Sequence, residues 1–287
     1  MTTPVEVSVD DVRAALPAAL PVAGPELLVA LDIDGTLIDH DQRMTAAVRD
    51  AVAALRDTGA HVVLATGRSM SATLPILEAL DLHHGWAVCS NGAVCLRLDP
   101  ALDGGHEISD VVTFDPEPAL RLLRAELPEG LFAVEDVGRG YKVSSPFPLG
   151  ELSGEVTVVD FEELCQAPAS RVTLRAPHLS AADFHALVDR VGLHGVSYAV
   201  GWTAWLDLAP DGVSKASALE MLRERLRLAA GASVAAGDGR NDIEMLRWAG
   251  FGVAMGGADD VTRQAADLVT AAVEEDGVVP VLRALLP

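Results

Sequence analysis

Positive charge is scarce in this chain. Its 287 residues contain 21 lysines and arginines against 42 aspartates and glutamates, which gives a formal net charge of −21. Nucleic acid and anionic membrane surfaces would be repelled by such a charge, so neither is an expected partner. An anionic ligand would need a local positive site.

Cysteine and long apolar runs are also scarce. The three cysteines, Cys89, Cys95 and Cys165, are odd in number and match no zinc-site spacing, which favours small core residues in a reducing compartment. No apolar run reaches the ~20 residues of a membrane span, and the acidic N-terminus lacks the basic start of a signal peptide. These features predict a cytoplasmic protein.

The length and the strand pattern predict two structural units. Half of the residues are hydrophobic, and 287 residues are more than one compact domain usually needs. From Leu27 onward, apolar strands alternate with helices, which is typical of parallel βαβ units. Between residues 95 and 206, alternating segments such as "YKVSS", "RVTLRA" and "AWLDLA" indicate an antiparallel sheet with helices on one face.

We therefore predict an α/β fold with a Rossmann-like parallel sheet core and helices on both faces. The core comprises residues 25–94 and 207–287, and an α+β cap domain, residues 95–206, is inserted between them. Residues 1–24 form an N-terminal extension with room for one helix. The sequence carries no signal for an oligomeric state.

Polar residues follow three of the predicted parallel strands. They are Asp32 and Asp34 after the first strand, Thr66, Gly67 and Arg68 after the second, and Asp238, Asn241 and Asp242 after "ASVAA". Lys215 begins a helix between them in the chain. Because open parallel sheets bind ligands at the carboxyl ends of their strands, we expect these residues to converge on one site.

Carboxylates that converge in this way destabilise one another unless a cation lies between them. An all-oxygen site with room for water suits Mg²⁺, and the lack of histidine or cysteine among the candidates disfavours zinc. Helix-start amides after Thr66 and Asp238, with Lys215, would bind a phosphate. The chain has only two lysines, Lys142 and Lys215, and a compact ammonium suits a crowded phosphate pocket, although either could be an ordinary solvated side chain.

Four segments resemble, in order, the four motifs of the haloacid dehalogenase superfamily of phosphohydrolases. They are "DIDGT" at Asp32, "ATGR" around Thr66, "GVSKASAL" with Lys215, and "GDGRNDIEML" from Gly237. The flanking "SNGA", "VAMGGA" and "EDGV" resemble the Cof-type, class IIB, subfamily, whose members carry an α/β cap between the second and third motifs. The resemblance covers the core from Leu27 to the C-terminus, and the cap only in position and general pattern.

The resemblance implies a Mg²⁺-dependent phosphomonoesterase acting on a small phosphorylated metabolite. Asp32 would be the nucleophile that forms an aspartyl phosphate, and Asp34 would be the general acid and then the general base, which favours a raised pKa for Asp34. The implied Mg²⁺ ligands are the side chains of Asp32, Asp238 and Asp242 and the backbone carbonyl of Asp34. The implied phosphate-binding groups are Thr66, the Gly67 amide, Lys215 and Asn241.

Structural roles compete with these assignments. An isolated Asp-Gly pair is usually a turn, and Asp238 and Asp242 could be a helix cap and a first-turn acid. The joint placement of four motifs after strands favours the functional interpretation. Arg68 stays open between a substrate contact and an exposed helix-start arginine, and Asp39 is interpreted as a loop acid.

Two other functions remain open on the same scaffold. One is a phosphomutase of the phosphomannomutase type, which would need a bisphosphate activator; the other is a non-catalytic phosphate or metal sensor. In the cap, polar and aromatic residues are candidates for substrate contacts, although cap-sheet packing is the more common role for any one of them. They are Arg139, Tyr141, Lys142, Trp202 and Trp205. The expected substrate is a sugar or polyol phosphate.

Overall fold

Two β-sheets organise the chain in the computed structural model, which describes residues 7–191, 193, 195–200 and 204–287. The strands of the first, eight-stranded sheet are β1 (Leu28–Leu31), β2 (His61–Ala65), β3 (Gly85–Cys89), β4 (Val94–Leu98), β5 (His106–Val111), β12 (Ser233–Gly237), β13 (Phe251–Ala254) and β14 (Leu268–Val269). Their order is β14-β13-β12-β1-β2-β3-β4-β5. All neighbours from β14 to β3 pair in parallel, and β4 and β5 add an antiparallel edge.

Helices cover both faces of this sheet, as predicted. The helices of the core are α1 (Val9–Ala15), α2 (Ala46–Arg56), α3 (Met70–Ala79), α7 (Lys215–Arg225), α8 (Ile243–Trp248), α9 (Asp260–Arg263) and α10 (Val278–Leu285). One face packs against α1, α2, α3 and α10, and the other packs against α7 and α8. Every residue of β1 is buried because this central strand is covered on both sides.

Local signals set the ends of the core helices. The Thr45 side chain accepts a hydrogen bond from the Val48 amide and caps α2, and Gly59 follows that helix in the left-handed region with φ +87°. Ser214 caps α7 in the same way through the Ser217 amide. The N-terminal helix α1 packs against α10, where Arg13 donates to the Ala284 and Leu286 carbonyls.

The second sheet has six strands. They are β6 (Leu131–Asp136), β7 (Gly140–Val143), β8 (Glu155–Val158), β9 (Val172–Arg175), β10 (Val196–Val200) and β11 (Trp205–Pro210), in the order β10-β11-β9-β6-β7-β8. Its pairs are antiparallel except β7 with β8. Helices α4 (Glu117–Glu126), α5 (Phe161–Leu164) and α6 (Ala181–Val191) pack on one face through a single apolar cluster, as expected for the cap.

The sheets divide the chain at different residues from the predicted boundaries. Both β4 and β5 belong to the core sheet, because a tight turn at residues 90–93 folds β4 back antiparallel onto β3. At the other end, β11 pairs with β9 through Leu208 and with β10 through Pro210. We therefore propose that the cap comprises residues 112–210 rather than 95–206.

Two expectations from the composition concern the whole chain. All three cysteines are free and buried, which confirms their prediction as core residues. Burial raises the pKa of the Cys89 thiol to about 12. Among the described residues, no helix is both long enough and apolar enough to cross a membrane.

Candidate active site

A cavity of about 610 Å³ lies between the carboxyl ends of the core strands and the cap sheet. Six of the predicted site residues line it, namely Asp32, Asp34, Thr66, Gly67, Asp238 and Asn241. The other two, Lys215 and Asp242, lie fully buried behind this surface. The structure therefore brings together residues that are up to 210 positions apart in the chain.

Three carboxylates and one ammonium form the floor of the cavity. Carboxylate oxygens of Asp32, Asp238 and Asp242 all lie within 4.8 Å of one another. The Lys215 ammonium donates to Oδ1 of Asp32 at 2.5 Å and to Oδ1 of Asp242 at 2.6 Å. The described contacts of Asp32 leave its Oδ2 without a hydrogen-bond donor.

Backbone geometry presses the first and fourth motifs together. The Asp32 amide donates to the Ala236 carbonyl at 3.0 Å, so the pairing of β1 with β12 continues to the catalytic edge. Gly35 has φ +78°, and a Cβ at this position would overlap the Asp238 carboxylate. Glycine is required there because it permits both the left-handed turn and the close approach.

Burial and mutual repulsion destabilise the ionised carboxylates. Burial, followed by the charge of Asp242, raises the pKa of Asp32 well above its ordinary value, and Lys215 only partly opposes this. The same two causes raise the pKa of Asp238 to about 7. One ammonium therefore does not balance three carboxylates. A hard cation with oxygen ligands, such as Mg²⁺, fits this donor set.

Asp242 orders the loop after β12. Its Oδ2 accepts hydrogen bonds from the amides of Asp238 at 3.0 Å and Gly239 at 2.9 Å, and its Oδ1 accepts from Lys215. Burial acts to lower the pKa of Lys215, but the charges of Asp242 and Asp32 have the larger effect and hold this pKa above its ordinary value. Asp242 thus positions both the Asp238 backbone and the ammonium.

Asp34 is held by Arg68, a residue whose role the sequence did not decide. The guanidinium donates from Nε and Nη2 to the two carboxylate oxygens of Asp34, both at 2.7 Å, and Nη2 also donates to Gln42. Partial burial acts to raise the pKa of Asp34, but the Arg68 hydrogen bonds and charge outweigh it and lower the pKa. The expectation of a raised pKa for Asp34 is therefore wrong for the free protein.

Small polar groups line the cavity after β2. Thr66 is buried and accepts from the Arg68 amide at 3.1 Å. Gly67 lines the cavity with its backbone. It lies close to Asn91, because a Cβ at this position would meet Asn91 Oδ1 at 3.1 Å. Asn241 donates to the same Asn91 oxygen at 3.0 Å. Asn91, from the "SNGA" segment, orients the amide of Asn241.

Cap residues also line the cavity wall, and we call five of them the cap roof: Tyr141, Glu151, Arg171, Trp205 and Asp207. Tyr141 and Trp205 were candidates from the sequence. Lys142 instead pairs with Glu163 outside the cavity at 2.8 Å, Arg139 does not line it, and Trp202 falls outside the described residues.

Sequence reasoning missed the charged residues of the cap roof. Charged residues alternate with apolar ones in "SRVTLRA" and "AWLDLA", so Arg171 and Asp207 share a face opposite the apolar cluster of the cap. This alternation was the available signal. Asp39, interpreted as a loop acid, also lines the cavity.

A comparison with known protein families matches two segments of the chain. The profile of the family described as haloacid dehalogenase-like hydrolase matches residues 29–110 and 170–282. The chain belongs to this family. The predicted resemblance is therefore confirmed, and the matched segments contain all eight predicted site residues.

This protein is a phosphatase, and similar proteins carry phosphatase names. YkrA of Bacillus subtilis, whose name describes it provisionally as a phosphatase, is 30% identical over 269 residues, covering 88% of this chain and 94% of that protein. A phosphoglycolate phosphatase of Natronomonas pharaonis is 32% identical over 251 residues, covering 87% and 93%, respectively.

The architecture also has counterparts among solved structures. The structure of BT4131, described as a HAD subclass IIB sugar phosphatase, matches with a TM-score of 0.75 at 23% identity, covering 90% of this chain and 98% of that one. This likeness confirms the predicted fold of a parallel-sheet core with an inserted cap.

Proposed function

We propose that this haloacid dehalogenase-type phosphatase is a Mg²⁺-dependent phosphomonoesterase that hydrolyses a sugar or polyol phosphate through an aspartyl phosphate on Asp32. The observation that carries the proposal is the cluster of Asp32, Asp238 and Asp242, of which only Asp238 is partly exposed, around the single ammonium of Lys215. Such a cluster is stabilised by a divalent cation and then accepts a phosphate dianion.

The residues that would hold Mg²⁺ are the side chains of Asp32, Asp238 and Asp242 and the backbone carbonyl of Asp34. When bound, the ion would supply the positive charge that the cluster lacks and polarise a phosphoryl oxygen. Asp242 already accepts three hydrogen bonds, so Asp32 and Asp238 have the more available oxygens.

In the first chemical step, Oδ2 of Asp32 forms a bond to phosphorus while the bond from phosphorus to the leaving oxygen breaks. Asp34 acts here in its protonated form, which the Arg68 pair disfavours in the free protein, and gives its proton to that oxygen, so the alcohol leaves neutral. In the second step, Asp34 takes a proton from water, whose oxygen attacks phosphorus. The bond to Asp32 then breaks and inorganic phosphate is released.

The cavity floor supplies donors for the phosphoryl oxygens. Lys215 uses two of its three N–H groups on Asp32 and Asp242, which leaves one for the phosphoryl group. Thr66, the Gly67 amide and Asn241 line the same surface. Donors fixed in advance stabilise the charge of the transition state without reorganisation.

A panel of phosphomonoesters tests the proposal. Purified protein is incubated with each ester in the presence of Mg²⁺ or of excess chelator, and inorganic phosphate is measured. We expect release from sugar or polyol phosphates that depends on Mg²⁺. A phosphomutase would instead isomerise a sugar phosphate without release, and a sensor would bind phosphate without turnover; either result would refute the proposed function.

A further inference from the structure

The cap roof contains a buried network of charged and hydroxyl groups. The guanidinium of Arg171 donates from Nε and Nη2 to the two carboxylate oxygens of Asp207 at 2.9 and 2.8 Å, and from Nη1 to the Tyr141 hydroxyl at 3.2 Å. Thr173 donates to the same carboxylate at 2.9 Å. Arg171 is only 7% exposed; its charge is opposed mainly by Asp207, with which it pairs directly, and also by the buried carboxylate of Glu135.

A second neutral pair flanks this network. Arg175 contacts the Glu151 carboxylate at 3.2 Å, and both side chains are largely buried. On the same wall, the Trp205 indole stands edge-on to the Phe147 ring, with centroids 6.3 Å apart. The wall therefore combines hydroxyl, carboxylate and aromatic surfaces.

Free positive charge is lacking around the upper cavity. Among the described residues that line it, the arginines are Arg68 and Arg171, and each forms a bidentate pair with a carboxylate. The exposed His40 lies at the mouth beside Asp39. A second anionic group on a substrate would find no free guanidinium to pair with, because each lining arginine is already paired with a carboxylate.

We propose that the cap roof, through the Arg171–Asp207 and Arg175–Glu151 pairs, selects phosphoesters with a neutral, hydroxyl-bearing leaving group and excludes those that carry a second carboxylate or phosphate. The proposal rests on the proposed function. Hydroxyl groups can accept from the remaining Arg171 donors and donate to carboxylate lone pairs, whereas a carboxylate would be desolvated and repelled.

Two matched substrate pairs test this selection. In each pair the phosphate and the size of the leaving group are similar and the charge differs: 2-hydroxyethyl phosphate against 2-phosphoglycolate, and glucose 6-phosphate against 6-phosphogluconate. Rates are measured with Mg²⁺ at a single pH for all four esters. In the pair whose neutral ester is hydrolysed faster, we expect the kcat/KM of that neutral ester to exceed the kcat/KM of its anionic partner by about tenfold or more.

Asp207→Asn identifies the residue responsible. This change removes the carboxylate that pairs directly with Arg171, so the preference for the neutral ester is expected to fall by about tenfold, mainly through a lower KM for the anionic ester. Glu151→Gln, at the less buried pair, is expected to act in the same direction and provides a second variant if Asp207→Asn does not fold. Glu155→Gln removes the same charge from the exposed strand β8 and should leave the preference unchanged.

The possible results separate this inference from the proposed function. Hydrolysis of the anionic esters at equal or higher kcat/KM overturns the inference alone. An unchanged preference in both folded variants overturns the assignment to these pairs. No phosphate release from any ester overturns the proposed function and the inference with it.

Discussion

At the scale of single residues, the charge balance of the cavity floor depends on Lys215. Its ammonium is fully buried between Asp32 and Asp242, in a chain that otherwise uses arginine for all but one of its basic residues. A planar guanidinium needs more room and a different donor geometry than this gap between two carboxylates offers. The residue type is therefore explained by the contacts.

Asp32→Asn tests the nucleophile. Asparagine keeps the size of the side chain and an oxygen that can accept from Lys215, but it cannot form an acyl phosphate. We expect phosphate release to fall at least about a thousandfold with the circular dichroism spectrum unchanged. Asp50→Asn, at an exposed position on α2, is the matched control. Near-normal turnover by a folded Asp32→Asn variant would refute this role.

Asp34 is expected to control the pH dependence of the reaction. Asp34→Asn should remove most of the turnover and leave the fold intact. Because Arg68 lowers the pKa of Asp34, Arg68→Gln should raise it. A general acid is lost as the pH rises through its pKa, so the falling limb of kcat/KM should move to higher pH.

The pH profile of Arg68→Gln is compared with that of Arg43→Gln. Arg43 is an exposed arginine on the loop between β1 and α2, where it pairs with Asp41; it has no described contact with Asp34. A limb that stays in place in Arg68→Gln, or moves equally in both variants, would contradict the coupling of Arg68 to Asp34.

At the scale of elements, the turn between β3 and β4 supports the start of α7. Ser90, Asn91 and Gly92 all have positive φ, and Gly92 lies against the carbonyl of Ser214, the cap residue of α7. Lys215 is the first residue of that helix, so the turn contributes to the placement of the ammonium.

Gly92→Ala is expected to disturb this contact. A Cβ at Gly92, whose φ is +104°, would overlap the Ser214 carbonyl oxygen, so α7 must shift. We expect a loss of about 2 kcal/mol or more in the free energy of unfolding and a reduced kcat. Gly85→Ala is the control, since its φ is +105° but nothing lies within 4 Å of the added atom. Equal losses in the two variants would show that backbone strain alone is responsible.

Glu220 connects α7 to α8. Its carboxylate accepts from Arg223 Nε and Nη2, both at 2.7 Å, and from the Trp248 indole at 2.9 Å. We expect Glu220→Gln to lower the free energy of unfolding by about 1 kcal/mol, and Glu224→Gln, exposed on the same helix, to have little effect.

The contribution of Glu220 should depend on pH. The Arg223 and Trp248 hydrogen bonds lower the pKa of Glu220 to about 2 in the folded protein. Because the pKa of Glu220 is lower in the folded protein, its carboxylate stabilises the fold at pH values above 4.5, the ordinary pKa of glutamate. This stabilisation is lost as the pH falls towards 2. Chemical denaturation of wild type and Glu220→Gln across this range checks the sign, and a constant difference between them would contradict it.

At the scale of the whole molecule, the cavity exists because the cap sheet covers the carboxyl edge of the core sheet. Ser90 in the core donates to Glu135 on β6 at 2.6 Å, and Ser71 on α3 donates to the Ser153 carbonyl at 3.2 Å. These bonds join the two units beside the site. The cover reduces the access of water, which strengthens the electrostatic interactions within.

Mg²⁺ is expected to stabilise the folded protein. A ligand at about 100 times its Kd adds about 2.7 kcal/mol, so Mg²⁺ should raise Tm and excess chelator should reverse the rise. Because the pKa of Asp238 is raised to about 7, protons compete with the ion below that pH, and the rise in Tm should be larger above pH 7 than below it. Asp238→Asn should abolish most of the rise. An equal rise in that variant would place the ion elsewhere.

Particular residues show how far sequence reasoning reached. The strand ends at Asp32, Thr66 and Asp238 were found because buried parallel strands and their turns are local patterns. The pairing of Arg68 with Asp34, by contrast, joins the loops after two strands, and no spacing rule indicates it. The membership of β4 and β5 in the core sheet was missed because an alternating strand fits either sheet equally well.

The order of strands and helices, the core-and-cap division and the four acidic and basic motifs follow from the sequence by itself, since hydrophobic period and turn chemistry are local properties. Tertiary structure alone decided which charges meet. Electrostatic energy depends on distance and burial, and residues such as Arg171 and Asp207, 36 positions apart, become partners only when two neighbouring strands are paired. The direction of the Asp34 pKa and the pairing of charges in the cap roof both depend on such contacts.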